Sequence, residues 1–406
     1  MACNVSREVT KPEAADVVVI GAGPAGCWAA RTLATRGVRA TIIDGSHPRE
    51  KPCGGGVTGR ALALVAGAID HQQLPRSEIR AARFVDSSRQ TSSLVPLTPG
   101  DLVVASRAEF DGLLFSAAIA SGATAVRARV TDVARANGGF VVRTNTGAEI
   151  HARAIIGADG ANSLVRRRLA QPFGRADLSI ATGYFVHGVT SDEILIELLP
   201  DPPGYIWSFP RPNHLAVGIC AQADAGVTVE TLRGRTLAWI RAMKLDGGTL
   251  EAYSWPIPSL SARSFASLTT SGPGWCLVGD AAGLVDPITR EGIYFALQSG
   301  EWAAQAAAAG NATAVRRYHE RVCDEIGVQF SRAARYKAGF FRPRFTGLLM
   351  DAMDESPRVR RVMADLVAGT QPYATLKWSL ARTAEFGLAW RLVRSKWYNR
   401  RSVFKE

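Results

Sequence analysis

The chain has 406 residues, enough for two or three domains with sizeable cores, and its 47% hydrophobic and 21% charged residues exclude a disordered protein. No apolar run reaches the roughly 18 residues a membrane-spanning helix needs, and six scattered cysteines without a C-x-x-C pair or zinc spacing exclude a disulfide framework or metal ribbon. The net charge of +12 is uneven: residues 311–406 hold 19 Lys/Arg against 9 Asp/Glu, while the preceding part is nearly balanced. Residues 1–15 are polar, lack the apolar core of a signal peptide and read as a disordered lead-in to a cytoplasmic protein. Val17 to Ile20 then read as a buried strand, followed by Gly21, Gly23 and Gly26 with Pro24 and Ala25 between them. A helix follows over Cys27 to Ala34, Gly37 stops it, and a second strand, Ala40 to Ile43, ends on Asp44. In such a unit Gly21 makes the tight turn, Gly23 lets backbone approach a pyrophosphate, and Gly26 packs helix on strand. The helix N-terminus offers free N–H groups to the same pyrophosphate, and Asp44 can accept from ribose hydroxyls. Strand, helix, second strand and acid agree on a dinucleotide site.

A turn-rich loop over residues 45–56 precedes a helix from Thr58 to Ala66. Short strands follow, with Arg83 to Asp86 and Asp101 to Ala105 the clearest, and Ser106-Arg-Ala-Glu109 is a capping box opening a helix from Arg107 to Ser121. Strands are expected at Val126 to Val133 and Gly139 to Thr144 around Asn137-Gly138, and at His151 to Ala158, ending on Asp159-Gly160. Residues 178–258 read mostly as strand, with one helix near Thr231 to Met243. Trp275 to Val278 is another buried strand, ending at Gly279-Asp280, and a long helix runs from Gly292 to Ala308. The remainder is helical, basic and rich in aromatics: Phe340, Phe341, Phe345, Tyr373, Trp378, Phe386, Trp390, Trp397, Tyr398 and Phe404. That composition suits either a helical cap with inward-facing rings or peripheral contact with an anionic membrane surface. No motif supports nucleic-acid binding.

Five further motifs carry a resemblance. Leu102-Val-Val-Ala-Ser-Arg107 with Phe110-Asp111, Ile155-Ile-Gly-Ala-Asp-Gly160, and Leu277-Val-Gly-Asp-Ala-Ala-Gly283 with Pro287 and Gly292 resemble the FAD-dependent superfamily of the p-hydroxybenzoate hydroxylase type. Lys51-Pro-Cys-Gly-Gly-Gly-Val-Thr58 and Gly204-Tyr-Ile-Trp-Ser-Phe-Pro210 resemble the geranylgeranyl reductase family, whose hallmark is Y-x-W-x-F-P followed by G-x-G. Gly218 matches the first of those glycines; Cys220 replaces the second. The resemblance spans roughly residues 15 to 330. It implies an α/β composite: a Rossmann-like FAD-binding domain (16–75, 105–175 and 270–330), an inserted, mostly antiparallel β-sheet substrate domain (76–104 and 176–269), and a helical C-terminal region (331–406).

By the same resemblance Gly26, Asp44, Cys53, Gly54, Gly56, Arg107, Val130, Asp280, Gly292 and Ile293 should line FAD, joined by Gly21, Gly23, Pro24, Ala25, Asp159, Gly160 and Gly283 of the motifs. Tyr205, Trp207 and Phe209, on one face of a strand, with Pro210, should wall a tunnel for an isoprenoid chain. The plain structural alternatives are a helix cap for Asp280, a surface arginine for Arg107, a turn for Asp159, a sheet core for the aromatics and an inert thiol for Cys53. Cys53 is the candidate catalytic residue: reducing an isolated double bond takes a hydride and a proton, and a thiol beside the flavin can give the proton. His47 is a loop histidine or a second proton source. The implied activity is reduction of isoprenoid C=C bonds with NADPH or ferredoxin as electron donor. A flavin monooxygenase, a halogenase using Lys51, and a redox-silent prenyl-lipid carrier remain the alternatives.

Overall fold

The computed structural model describes residues 15–136 and 138–382. Residues 1–14 of the expected lead-in, Asn137, and the aromatic residues Phe386, Trp390, Trp397, Tyr398 and Phe404 lie outside the described residues, while Ala15 already opens the first strand. An eight-stranded sheet runs in the order Ser271–Gly272, Trp275–Leu277, Glu149–Gly157, Ala15–Ile20, Ala40–Ile43, Thr124–Val126, with the Val130–Ala136/Gly139–Thr144 hairpin paired onto Glu149–Gly157. Its central strands are parallel. Val17, Val18 and Val19 are fully buried, as expected for a parallel strand covered on both faces. Helix Pro24–Ala34 packs on helix Ile293–Ala309 so closely that a Cβ at Gly300 would lie 2.4 Å from the Ala25 carbonyl oxygen.

One expected strand is two. Thr124–Val126 joins the parallel sheet beside Ala40–Ile43, and Val130–Ala136 belongs to the hairpin. Between them the Arg129 amide turns aside to donate to the Asn145 side chain. Gly56, expected to end a loop, and Thr58, expected to begin a helix, instead bound the strand Gly56–Thr58, which pairs with Leu102–Ala105 and leaves Gly59–Val65 helical.

The second large sheet has seven strands, in the order Thr249–Pro258, Leu178–His187, His214–Gln222, Pro203–Pro210, Glu193–Pro200, Ala81–Asp86, Thr91–Pro96. All pairs are antiparallel except Glu193–Pro200 with Ala81–Asp86. Of the segment 76–104 only residues 81–96 join this sheet; Arg76–Glu78 and Leu102–Ala105 form a three-stranded sheet with Gly56–Thr58. Helix Val229–Ala242 covers one face with Leu232, Trp239 and Ile240 against Ile206, Val217 and Ile219. Helices of the C-terminal region, Val328–Phe340, Pro343–Glu355 and Pro357–Val367, join a core with Phe84, Val95 and Ile194 of the sheet.

Candidate active site

The glycine motif borders a cavity of about 670 Å³ at the carboxyl ends of the parallel strands, within the usual range of roughly 300–1,000 Å³ for ligand pockets. Gly21 has φ +102°, and a Cβ there would lie 2.4 Å from the Ala158 carbonyl oxygen. A Cβ at Gly26 would lie 1.9 Å from the Gly21 carbonyl oxygen, so this glycine seats the helix on the turn. A Cβ at Gly23 would meet nothing closer than His47 Nε2 at 3.9 Å: that position opens into the cavity. Pro24 and Ala25 continue the wall, where first-turn amides have no intrahelical partner. Arg49, Lys51, Arg127 and Arg129 add cationic side chains. Open backbone, a helix N-terminus and a cationic rim form the donor set of a pyrophosphate, so the residues fit FAD.

Asp44 also lines this cavity. Its Oδ2 accepts from the Ala22 amide and lies 2.9 Å from His47 Nδ1, while its Oδ1 accepts from the Ser46 and His47 amides. Burial opposes ionisation, but the His47 ring and these amides outweigh it and hold the carboxyl well below the usual carboxylate range. His47, on the wall of this cavity, is held between Asp44 and Asp111, 3.8 Å from its Nε2. Val130, Asp159 and Gly160 complete the far wall. Asp159 caps helix Leu164–Leu169, accepting from Ser163 Oγ and the Leu164 and Val165 amides, and burial pushes its carboxyl up.

A second cavity, about 220 Å³ and chiefly apolar, meets the first. Pro24, Lys51, Arg107, Trp255, Asp280 and Ala296 line both, and mark the junction. Arg107, 3% exposed, pairs bidentately with Asp111 at 2.9 and 2.7 Å. Burial works against its charge, yet the Asp111 carboxylate holds the guanidinium protonated, with the Cys53 side chain also beside it. Asp280 accepts from Lys51 Nζ at 2.9 Å. Glu50 ties the Cys53 loop down: it accepts from Ser106 Oγ and the Arg107 amide and pairs with the fully buried Arg211, whose Nη2 donates to the Cys53 carbonyl.

The walls of the apolar cavity come from distant segments. Tyr205, Trp207 and Phe209 project into it from Pro203–Pro210, and Cys53, Gly54, Gly56, Gly292 and Ile293 face it rather than the larger cavity. The two family-like motifs interlock here, since a Cβ at Gly54 would lie 2.1 Å from Phe209 Cδ2. Gly218 stands opposite Trp207, where a Cβ would lie 2.4 Å from Trp207 Cζ2. Cys220 stands opposite Tyr205, 1% exposed, in a cluster with Trp207 and Tyr253, so the departure from the glycine pattern fills a packed wall. Phe340, Met363, Leu366 and Val367 add a wall from the C-terminal region.

Three expected residues have other surroundings. Gly283, at φ +82°, ends the short helix Gly279–Ala282, and a Cβ there would press on Leu260 and Phe173; it borders neither cavity. Pro210 is buried opposite Leu215, outside the cavity wall, and Gly26 serves helix packing. Trp255, Arg211 and the C-terminal wall were absent from the sequence reading. Only Trp255 left a sequence signal, the alternation Tyr253, Trp255, Ile257.

The FAD binding domain family model matches residues 14–303. The chain is 30% identical over 355 residues to the digeranylgeranylglycerophospholipid reductase of Methanothrix thermoacetophila, covering 80% of this chain and 88% of that protein. It is 30% identical over 357 residues to the menaquinone reductase of Mycobacterium tuberculosis, covering 82% and 86%. The crystal structure of a geranylgeranyl bacteriochlorophyll reductase-like protein from Thermoplasma acidophilum superposes with a TM-score of 0.76 at 24% identity, covering 91% of this chain and 99% of that one. A flavin-dependent brominase shares the fold more distantly, with a TM-score of 0.67 at 20% identity over 91% and 98%. With its nucleotide motif, its glycine-rich cysteine loop and its aromatic strand, the chain belongs to the geranylgeranyl reductase family of FAD-dependent oxidoreductases.

Proposed function

We propose that the protein saturates C=C bonds of an isoprenoid chain held in the apolar cavity. The observation that carries this reading is the junction: an apolar wall of Tyr205, Trp207 and Phe209 opens onto the nucleotide cavity at Arg107, Trp255 and Asp280. Large rings bury a chain and exclude water from it. FAD, when bound and reduced, supplies the hydride. Gly23 and the first turn of Pro24–Ala34 bind its pyrophosphate, the cationic rim neutralises it, and Asp280 and Arg107 orient the reacting end. Cys53 delivers the proton from its thiol to the second carbon of the double bond. Arg211 and Glu50 hold the Cys53 loop in place for that transfer, with the Arg107 guanidinium beside the thiol.

The test is anaerobic. Purified protein is reduced, given an isoprenoid lipid, and the product is weighed: a gain of two hydrogens supports the reading, and oxygen-dependent gain of one oxygen atom overturns it in favour of hydroxylation. NADPH and reduced ferredoxin in separate arms identify the electron donor. Lys51 at the junction is the one observation favouring halogenation, and its ion pair with Asp280 opposes that use; halide incorporation in the same assay would establish it. No helix among the described residues is long and apolar enough to cross a membrane. The basic C-terminal region, with Trp378 70% exposed, is our proposed contact with an anionic lipid surface. Liposome sedimentation of the full chain against a chain ending at residue 382 and against Trp378→Ala checks it, both variants keeping Met363 and Leu366 in the cavity wall.

A further inference from the structure

The sheet wall of the apolar cavity can be followed strand by strand. Trp255 stands opposite Ala181 at one edge of the seven-stranded sheet, and both line the cavity. Two strands beyond Ala181, the strand of Tyr205 and Trp207 meets the Cys53 loop, where Gly54 packs on Phe209. The next strand places Leu198 opposite Tyr205 and Ile196 opposite Trp207, and the one after it places Phe84 opposite Ile196. At about 4.8 Å per strand, the wall therefore continues roughly 10 Å past Trp207, away from Trp255.

This far arm is blind. Phe84, Ile194, Phe340, Met363 and Leu366 line it, and each is 9% exposed or less. Met363, Leu366 and Val367, three and four residues apart on helix Pro357–Val367, share one helix face. Behind them Phe341, Met350 and Met353 are buried in the same core, so the arm ends on packed side chains. None of these side chains can satisfy a polar headgroup, and burying one unpaired is costly. A lipid chain therefore enters the arm by its hydrocarbon end. The reacting position lies on the near side, beside Cys53 and Arg107.

We propose that this arm measures the isoprenoid chain: its hydrocarbon end stops against Met363, Leu366 and Val367, and the stop fixes how many double bonds are saturated. This rests on the isoprenoid reading and deepens it by naming the residues that limit the extent of reduction. As the chain slides inward, successive double bonds pass Cys53 until the end meets the wall. Each one that reacts takes a hydride from reduced flavin and a proton, a gain of two hydrogens. Bonds nearer the headgroup do not reach Cys53 and stay unsaturated. The product is a partly reduced chain, and every isoprene unit added to the substrate leaves one more double bond on the headgroup side.

The experiment uses flavin-loaded full-length protein without oxygen, with excess dithionite as reductant. Its substrates are isoprenoid lipids with one headgroup and chains of four, six or eight units, and tandem mass spectrometry locates the saturated bonds at the end point. Expected is the same number of saturated bonds in all three, counted from the hydrocarbon end. Leu366→Ala deepens the arm and should saturate one bond more. Val367→Phe shortens it and should saturate one fewer. Retained flavin content shows that the variants are folded. The inference is overturned if the eight-unit chain is fully saturated by wild-type protein, if the saturated bonds keep a fixed distance from the headgroup, or if both variants give the wild-type pattern. If no chain gains hydrogen, the isoprenoid reading itself fails; reduction without this pattern sinks the stop alone.

Discussion

The two cavities differ in how the chain builds them. The nucleotide cavity rests on a compact unit, from Ala15 to Asp44, in which strand, turn, helix and acid are neighbours in sequence. The apolar cavity draws on residues near 53, 84, 194–209, 255, 290 and 340–367, which only the tertiary fold brings together. A local motif can therefore name the cofactor, while the substrate is decided by long-range packing. Substitutions should follow that division: changes in the first region remove the cofactor, and changes in the second leave the cofactor and alter the chain that is reduced.

The largest effect is expected at Gly26, where a side chain would collide with the Gly21 carbonyl. Gly26→Val should give protein without bound flavin or no soluble protein, read from the flavin absorbance of the purified chain; a normal spectrum would break the comparison at its firmer end. Next, Cys53→Ala should keep its flavin but slow the reductive step by about 10²–10⁴-fold, the usual contribution of a positioned proton donor. Measured in single-turnover experiments, an unchanged rate would return Cys53 to an inert loop thiol. Met363→Ala enlarges the cavity from the C-terminal side. It should lower stability by about 2–5 kcal/mol in urea titrations and cost about 10-fold in kcat/KM on long chains, with little loss on short ones.

The smallest effect is a pH dependence. Burial, reinforced by Arg290, lowers Lys337 from its ordinary 10.5 to about 7, with Cys220 and Asp224 acting in the opposite sense. Between those two values the unfolded chain binds more protons than the folded one, so wild-type stability rises with pH across that window and the contribution is lost as pH falls through 7. In Lys337→Met the rise should flatten, seen by comparing urea midpoints of the two proteins at about pH 7 and pH 9.5. Parallel pH profiles would show that Lys337 titrates in the folded protein as it does in water.

The uneven legibility of the sequence follows from the same division. Gly21, Gly23, Asp44 and Asp159 stand on the cavity the motifs implied, because each is placed by its own strand end. The aromatic alternation at Tyr205, Trp207 and Phe209 was readable for the same reason. What sequence reading lost were contacts without local signature. Arg211 reaches Glu50 and Cys53 across roughly 160 positions, and Phe340 and Met363 arrive from helices whose sequence shows only an amphipathic, basic pattern. Asp44 was legible as a residue but not in its bonding: it holds Ala22, Ser46 and His47, a network that depends on where the loop folds back. The Val126 to Val133 stretch was misjudged because apolar alternation runs through a turn that only Asn145 reveals.

The junction of the two cavities is most directly tested by stopped-flow reoxidation of the reduced flavoprotein under strict anaerobiosis. Wild-type protein mixed with an isoprenoid substrate should recover the oxidised flavin absorbance at a saturable rate, and Trp207→Ala should do so at least about 10-fold more slowly while holding the same amount of flavin. Reoxidation that requires oxygen, or that proceeds equally in Trp207→Ala, would contradict an isoprenoid chain lying along this wall.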